Sequence, residues 1–211
     1  MRKVGVVAIV LSILVQLSGC GGDSSFLIAI RGNDVQEVRR LLHNGVDVNQ
    51  FAEPEKRTPL MEASFHSSPE MLAILIDSGA SISALDYHGR SALHYAARTE
   101  RCENIDLLIG SGMLVNPEGT SDFTPLMEAS RVGGPVAAKC LLKHGANVNA
   151  QDGGEFTPLM HAVWSHSVDT IKVLLEAEPN LQLRNNQGWT AGEIARSLGQ
   201  DEIARLLNRP E

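Results

Sequence analysis

Thr58-Pro59-Leu60-Met61-Glu62-Ala63-Ser64 recurs unchanged as Thr124-Pro125-Leu126-Met127-Glu128-Ala129-Ser130. A third copy, Thr157-Pro158-Leu159-Met160-His161-Ala162, and a fourth, Ser91-Ala92-Leu93-His94-Tyr95-Ala96, share the register: Thr58, Ser91, Thr124, Thr157 and Thr190 follow one another at intervals of 33 residues. A fixed period of this length marks stacked supersecondary units, each with too little core to stand alone. The chemistry of one unit explains its spacing. A leading Thr caps a helix through its hydroxyl, and Pro beside it takes the first helical position, where a missing N–H costs nothing. Leu60 and Ala63 then face inward, the small alanine admitting a second helix built on Met71, Leu72, Ile74, Leu75 and Ile76. Gly79, Gly112 and Gly145, each 21 residues after a start, supply the left-handed residue that ends such a helix. A projecting turn follows, as in Asp86-Tyr87-His88-Gly89-Arg90.

This template resembles the ankyrin repeat over residues 24–208. The resemblance implies an all-α solenoid of six repeats, each a pair of antiparallel helices with a projecting β-turn. Ala29 and Gly45 match Ala63 and Gly79, so the first repeat begins near Ser24, and its turn is one residue longer within 50–57. The last repeat runs from Thr190 to Asn208, ending in a helix over 201–208 whose Asp201, Glu202 and Arg205 suit a solvent-facing cap. The family's fourth position is usually a His that ties adjacent turns. Here it is Met61, Met127 and Met160, and His94 alone keeps it. Glu178-Pro179 replaces the terminating glycine of the fifth repeat and Gly192 the core leucine of the sixth. The stretches 119–122 and 153–155 read as irregular turns, which predicts a looser C-terminal half.

The first residues read as an address. Arg2 and Lys3 precede an apolar run from Val4 to Leu17, shorter than the roughly 20 residues a spanning helix needs but suited to a signal-peptide core. Leu17-Ser18-Gly19-Cys20 resembles the bacterial lipobox. That resemblance implies a signal peptide over 1–19, lipidation of Cys20, a short tether over 20–23 and a folded domain over 24–211. The alternatives are an ordinary signal peptide and an uncleaved anchor. Gly21, where an inner-membrane retention signal would carry Asp, implies the periplasmic face of the outer membrane. The tether over 21–23 reaches about 10 Å, at roughly 3.3–3.6 Å per residue, so the fold would sit against the membrane.

With 18 basic and 25 acidic residues among 211, the chain carries a net charge of -7. Removal of Arg2 and Lys3 leaves 16 basic residues and about -9, which disfavours nucleic acid as a partner. No metalloprotease His pair, nucleophile elbow or phosphate-binding glycine loop occurs. The reading is therefore a non-enzyme with no cofactor, no metal and no small-molecule substrate. A metal between His66 and His166 is remote, because whole repeats separate them. Cys102 and Cys140 fall five residues out of phase in neighbouring second helices. At about 1.5 Å per residue, that offset makes a bridge strained at best and favours buried or shielded thiols.

Ankyrin domains usually bind partners on the concave surface made by turn tips and the ends of first helices. By position the tips here include Arg57, Tyr87, His88, Arg90, Phe123, Phe156 and Trp189. The helix ends include Phe65, His66, Arg98, Thr99, Arg131, Val132, Trp164 and Ser165. Six of the nine aromatic residues fall in this set, and Trp, Tyr and Arg dominate interface energetics. Phe123, Phe156 and Trp189 have a second reading as packing on a neighbouring turn. The implied function is a membrane-tethered periplasmic binding module for another protein. An immunity protein that neutralises a toxic periplasmic enzyme, a chaperone-like protector of such an enzyme and a structural role in the envelope are the alternatives.

Overall fold

The computed structural model describes residues 25–116 and 122–208. The leader, Cys20, the tether and most of the 119–122 turn lie outside the described residues. Among the described residues, no helix is long and apolar enough to cross a membrane.

Among the described residues, twelve helices form six consecutive pairs: α1 (Ser25–Arg31) with α2 (Val35–His43), α3 (Pro59–His66) with α4 (Pro69–Asp77), α5 (Ala92–Ala97) with α6 (Cys102–Gly110), α7 (Pro125–Val132) with α8 (Pro135–Lys143), α9 (Pro158–Trp164) with α10 (Val168–Leu175), and α11 (Ala191–Ser197) with α12 (Asp201–Leu207). First helices stack in order from α1 to α11, and second helices from α2 to α10. The repeat template does what its chemistry requires. Thr58, Thr124 and Thr157 hydroxyls accept from the Met61, Met127 and Met160 N–H groups at 3.3, 3.2 and 3.2 Å. Leu60, Leu93, Leu126 and Leu159 form one buried column, and Ala63, Ala96, Ala129 and Ala162 another, the latter with no exposed surface. Each leucine that leaves water contributes about 2 kcal/mol.

The fourth position shows how methionine substitutes for histidine. The Met61 and Met127 sulfurs accept from the N–H of their own capping threonines at 3.4 and 3.3 Å. His94 Nδ1 accepts from the Ser91 N–H at 3.1 Å, and its Nε2–H reaches the Phe123 carbonyl in the next turn at 2.7 Å. A thioether closes the local cap but has no proton for the neighbouring turn. Burial pushes the His94 imidazole below its ordinary pKa, against a smaller opposing pull from the Phe123 carbonyl, so the neutral ring is favoured.

Two departures from the template are absorbed. Gly79, Gly112 and Gly145 take φ of 89°, 97° and 83°, and Glu178 holds the same place at φ 50° with a side chain. A Cβ on Gly192 would meet Asn208 Oδ1 at 3.4 Å and Leu207 Cβ at 3.8 Å. The terminal helix α12 fills the space that a leucine occupies in inner repeats.

Two expectations are corrected. The turn over 153–155 is regular: Asp152 Oδ1 accepts from the Gly154 and Phe156 N–H groups, both at 2.9 Å. Asp86 makes the same pair of bonds to His88 and Arg90, at 2.8 and 2.9 Å. The aspartate five places before the cap organises the turn, and the glycines merely permit it. Cys102 and Cys140 are also joined, as a disulfide with Cα atoms 5.7 Å apart. The axial offset was counted without the rotation that accompanies it. Equivalent positions in stacked repeats point the same way, whereas five residues at about 100° each turn a side chain about 140° round its helix. That rotation aims Cys140 back at the preceding repeat. His144 and Asp106, offset by the same five places, meet at 2.6 Å.

Candidate concave binding face

Numbering from each repeat's cap makes the face legible. The fifth place is held by Ile28, Glu62, Tyr95, Glu128, His161 and Ile194, and the eighth by Arg31, Phe65, Arg98, Arg131, Trp164 and Ser197. Both places lie on first helices or at their ends.

Glu62 and Glu128 are buried, with 1% and 0% of their surface exposed. Such carboxyl groups require partners, and the eighth-place arginines supply them. Arg31 Nε donates to Glu62 Oε2 at 2.9 Å from the preceding repeat. Arg57 Nη1 faces Oε1 at 3.1 Å as an ion pair, off the line of a hydrogen bond. Glu128 accepts from Arg131 Nε and Nη2 at 3.1 and 2.6 Å, with Arg98 Nε 3.4 Å away. Hydrogen bonding to Glu128 holds the Arg131 guanidinium above its ordinary pKa. In the third and fifth repeats the fifth-place residue instead reaches the turn aspartate: Tyr95 Oη donates to Asp86 Oδ2 at 2.7 Å, and His161 Nε2 lies 2.9 Å from Asp152 Oδ2. Burial and the Asp86 bond push the Tyr95 hydroxyl upward from its usual pKa.

The residues singled out by position divide into three groups. Arg98 and Arg131 serve the buried Glu128, and Arg98 also lies over the half-buried Phe65 ring at 5.2 Å. His66, at the end of the same helix, is exposed, with Nε2 3.7 Å from Glu62 Oε2; desolvation keeps its imidazole below the ordinary pKa. Phe123 and Phe156 are half-buried in a ring ladder, Phe123 lying 6.5 Å from His94 and 5.4 Å from His161, and Phe156 5.7 Å from His161. The remaining group faces solvent: Tyr87, Trp164 and Trp189 are 64%, 52% and 42% exposed, with His88 exposed beside Tyr87 and Arg90 half-buried.

Exposed large apolar side chains occur along the whole array of repeats, and in its C-terminal half they include the ends of first helices. Val132, Trp164 and Leu198 end three adjacent first helices and are 41%, 52% and 36% exposed, with Trp189 on the last turn. Val132 and Leu198 hold the ninth place and Trp164 the eighth, so three neighbouring first helices each end in an exposed apolar side chain, the kind of surface that marks interaction sites. Leu198 was missed because its repeat was read as a cap. The Glu62 and Glu128 clusters were missed because the sequence was read one repeat at a time. Their signal is an Arg about 30 residues before each fifth-place Glu.

A family model for ankyrin repeats in three copies matches residues 26–118 and 126–210. This chain belongs to the ankyrin repeat family. It is 31% identical over 191 residues to an ankyrin repeat protein of fowlpox virus, a match covering 88% of this chain and 47% of the viral protein. It is 30% identical over 176 residues to the human SH3 and multiple ankyrin repeat domains protein 2, covering 82% of this chain and 10% of that one. A phosphocholine transferase of Legionella pneumophila is 31% identical over 122 residues, which is 56% of this chain and 13% of the enzyme. The chain thus spans less than half the length of these relatives. Ankyrin repeats are protein-interaction modules, and the shared region in each case is repeat sequence.

Proposed function

We propose that this ankyrin domain is a non-enzymatic module that grips a protein on its concave face and is held at a membrane by a lipid on Cys20. The observation that carries the docking surface is the exposure of Val132, Trp164 and Leu198 at the ends of three neighbouring first helices, with exposed Trp189 in the turn before the last of them. Tryptophan offers large rigid contact area at low entropic cost and is enriched among interface hot spots. Over the first four repeats the same face is also basic, because Arg31, Arg57, Arg98 and Arg131 surround their buried carboxyl groups while remaining 28%, 30%, 33% and 43% exposed. A partner that offers acidic groups beside an apolar anchor complements both features. The lipobox resemblance supports a periplasmic position, and a short tether keeps the partner near the bilayer.

Affinity capture of the mature protein from its own envelope tests this reading when run beside Trp164→Ala and a variant of the opposite surface, Lys139→Ala. A protein retained by wild type and Lys139→Ala but lost by Trp164→Ala is the expected result. A toxic enzyme inhibited on binding favours the immunity reading, and an enzyme stabilised on binding favours protection. Equal recovery by all three baits would overturn the assignment. Metabolic labelling with a palmitate analogue, abolished by Cys20→Ser, tests the anchor separately.

A further inference from the structure

The surface built by the second helices carries a different arrangement. Cys102 and Asp106 lie one turn apart on α6, and Cys140 and His144 one turn apart at the end of α8. Residues at i and i+4 share a helix face, so two stacked helices each present a cysteine followed by a polar metal-ligating group. The register offset sets them in two rungs. Cys102 and Cys140 form one, closed as a disulfide. Asp106 and His144 form the other, with His144 Nε2 2.6 Å from Asp106 Oδ1. The rungs are close: the two sulfurs and an Asp106 carboxyl oxygen lie within 4.8 Å of one another, with Cys140 Sγ 3.4 Å from Oδ1 and Cys102 Sγ 3.7 Å from Oδ2.

We propose that Cys102, Asp106, Cys140 and His144 form a redox-gated site for a zinc-like divalent ion. Two thiolates, a carboxylate and an imidazole are the donor types that zinc takes in tetrahedral sites, and both helices contribute equally. While the sulfurs are bonded to each other they cannot ligate. A cellular dithiol opens the site by exchange: it delivers two electrons and two protons to the Cys102–Cys140 bond and becomes a disulfide itself. The ion then displaces the two thiol protons, and two S–metal bonds replace one S–S bond. Asp106 already lies against both sulfurs, and His144 follows through its contact with Asp106, entering as fourth ligand or orienting the carboxylate. Cys102 opens α6, where the helix N-terminus favours a thiolate. In either state the third and fourth repeats stay clamped, covalently when oxidised and through the ion when reduced.

Cobalt(II) titration of the full chain carrying Cys20→Ser, with and without a phosphine reductant, tests the site. The reduced protein is expected to bind one cobalt with a thiolate-to-metal charge-transfer band and the intense visible bands of tetrahedral cobalt, and zinc should erase both. The oxidised protein should give neither. Asp106→Asn and His144→Ala should each weaken cobalt binding by about 10–100-fold, and Cys140→Ser should abolish the charge-transfer signature of a dithiolate. Circular dichroism of the reduced, metal-free chain is expected to retain its helical signal. Absence of the charge-transfer band, loss of helix on reduction alone, or undiminished affinity in both Asp106→Asn and His144→Ala would overturn the proposal.

Discussion

Removing the buried end of the Glu128 cluster and removing its exposed end should have unequal consequences. Glu128 has no exposed surface, whereas Arg98 and Arg131 are 33% and 43% exposed. In Arg98→Ala/Arg131→Ala the carboxyl group stays inside without a counter-charge. Breaking a buried pair in this way costs about 3–5 kcal/mol, and the partial exposure of the arginines places the expected loss near the lower limit, about 3 kcal/mol. Glu128→Met leaves a side chain of similar length in an apolar site, and both guanidiniums can turn into water. The lost hydrogen bonds and the relieved desolvation then nearly cancel, to within about 1 kcal/mol. The decisive variant is the triple, Arg98→Ala/Arg131→Ala/Glu128→Met, which should recover most of the stability that the double loses. Urea unfolding followed by circular dichroism reads all three, with the slope checked for constancy. A triple variant no more stable than the double would refute the argument that the uncompensated buried carboxyl sets the cost.

Three further outcomes follow from single features. His94 has its pKa lowered by burial, so the unfolded chain takes up its proton first as pH falls; stability should therefore decline from about pH 6.5 downward and level off below the folded-state value. His94→Met, copying the other repeats, should reduce that slope in pH-dependent urea melts and cost about 1 kcal/mol at neutral pH through the stranded Phe123 carbonyl; His66, lowered in the same direction, supplies part of the remaining slope. Glu178 holds φ 50° where four other repeats have glycine, so Glu178→Gly should stabilise by about 0.5–1 kcal/mol in thermal unfolding. The bridge between Cys102 and Cys140 spans a sequence separation of 38, and Cys102→Ala/Cys140→Ala should lower stability by about 2–4 kcal/mol in the absence of metal.

The period of the sequence carried the fold almost completely, because a capping threonine, an N1 proline, a column of leucines and a terminal glycine each act within one repeat. Features that depend on two repeats at once were harder to see. The disulfide needed rotation as well as rise, and Arg31 beside Glu62 needed the fifth place of one repeat read against the eighth place of the one before. The candidate face was legible in outline: Trp164 and Trp189 stand exposed where position placed them. Position alone could not divide the aromatics, since exposed Tyr87 and half-buried Phe123 both belong to turns, and only the ring ladder through His94 and His161 sets them apart.

The central claim is that the concave face, Trp164 included, is where this module grips a protein. Amide hydrogen exchange of the mature domain with and without its captured partner tests it most directly, paired with the affinity of Trp164→Ala. The account predicts new protection confined to the ends of α7, α9 and α11 and the adjoining turns, and affinity lowered more than about 30-fold, or about 2 kcal/mol, with the melting temperature unchanged. Protection on α6, α8 and α10 instead, with Trp164→Ala binding as tightly as wild type, would contradict it.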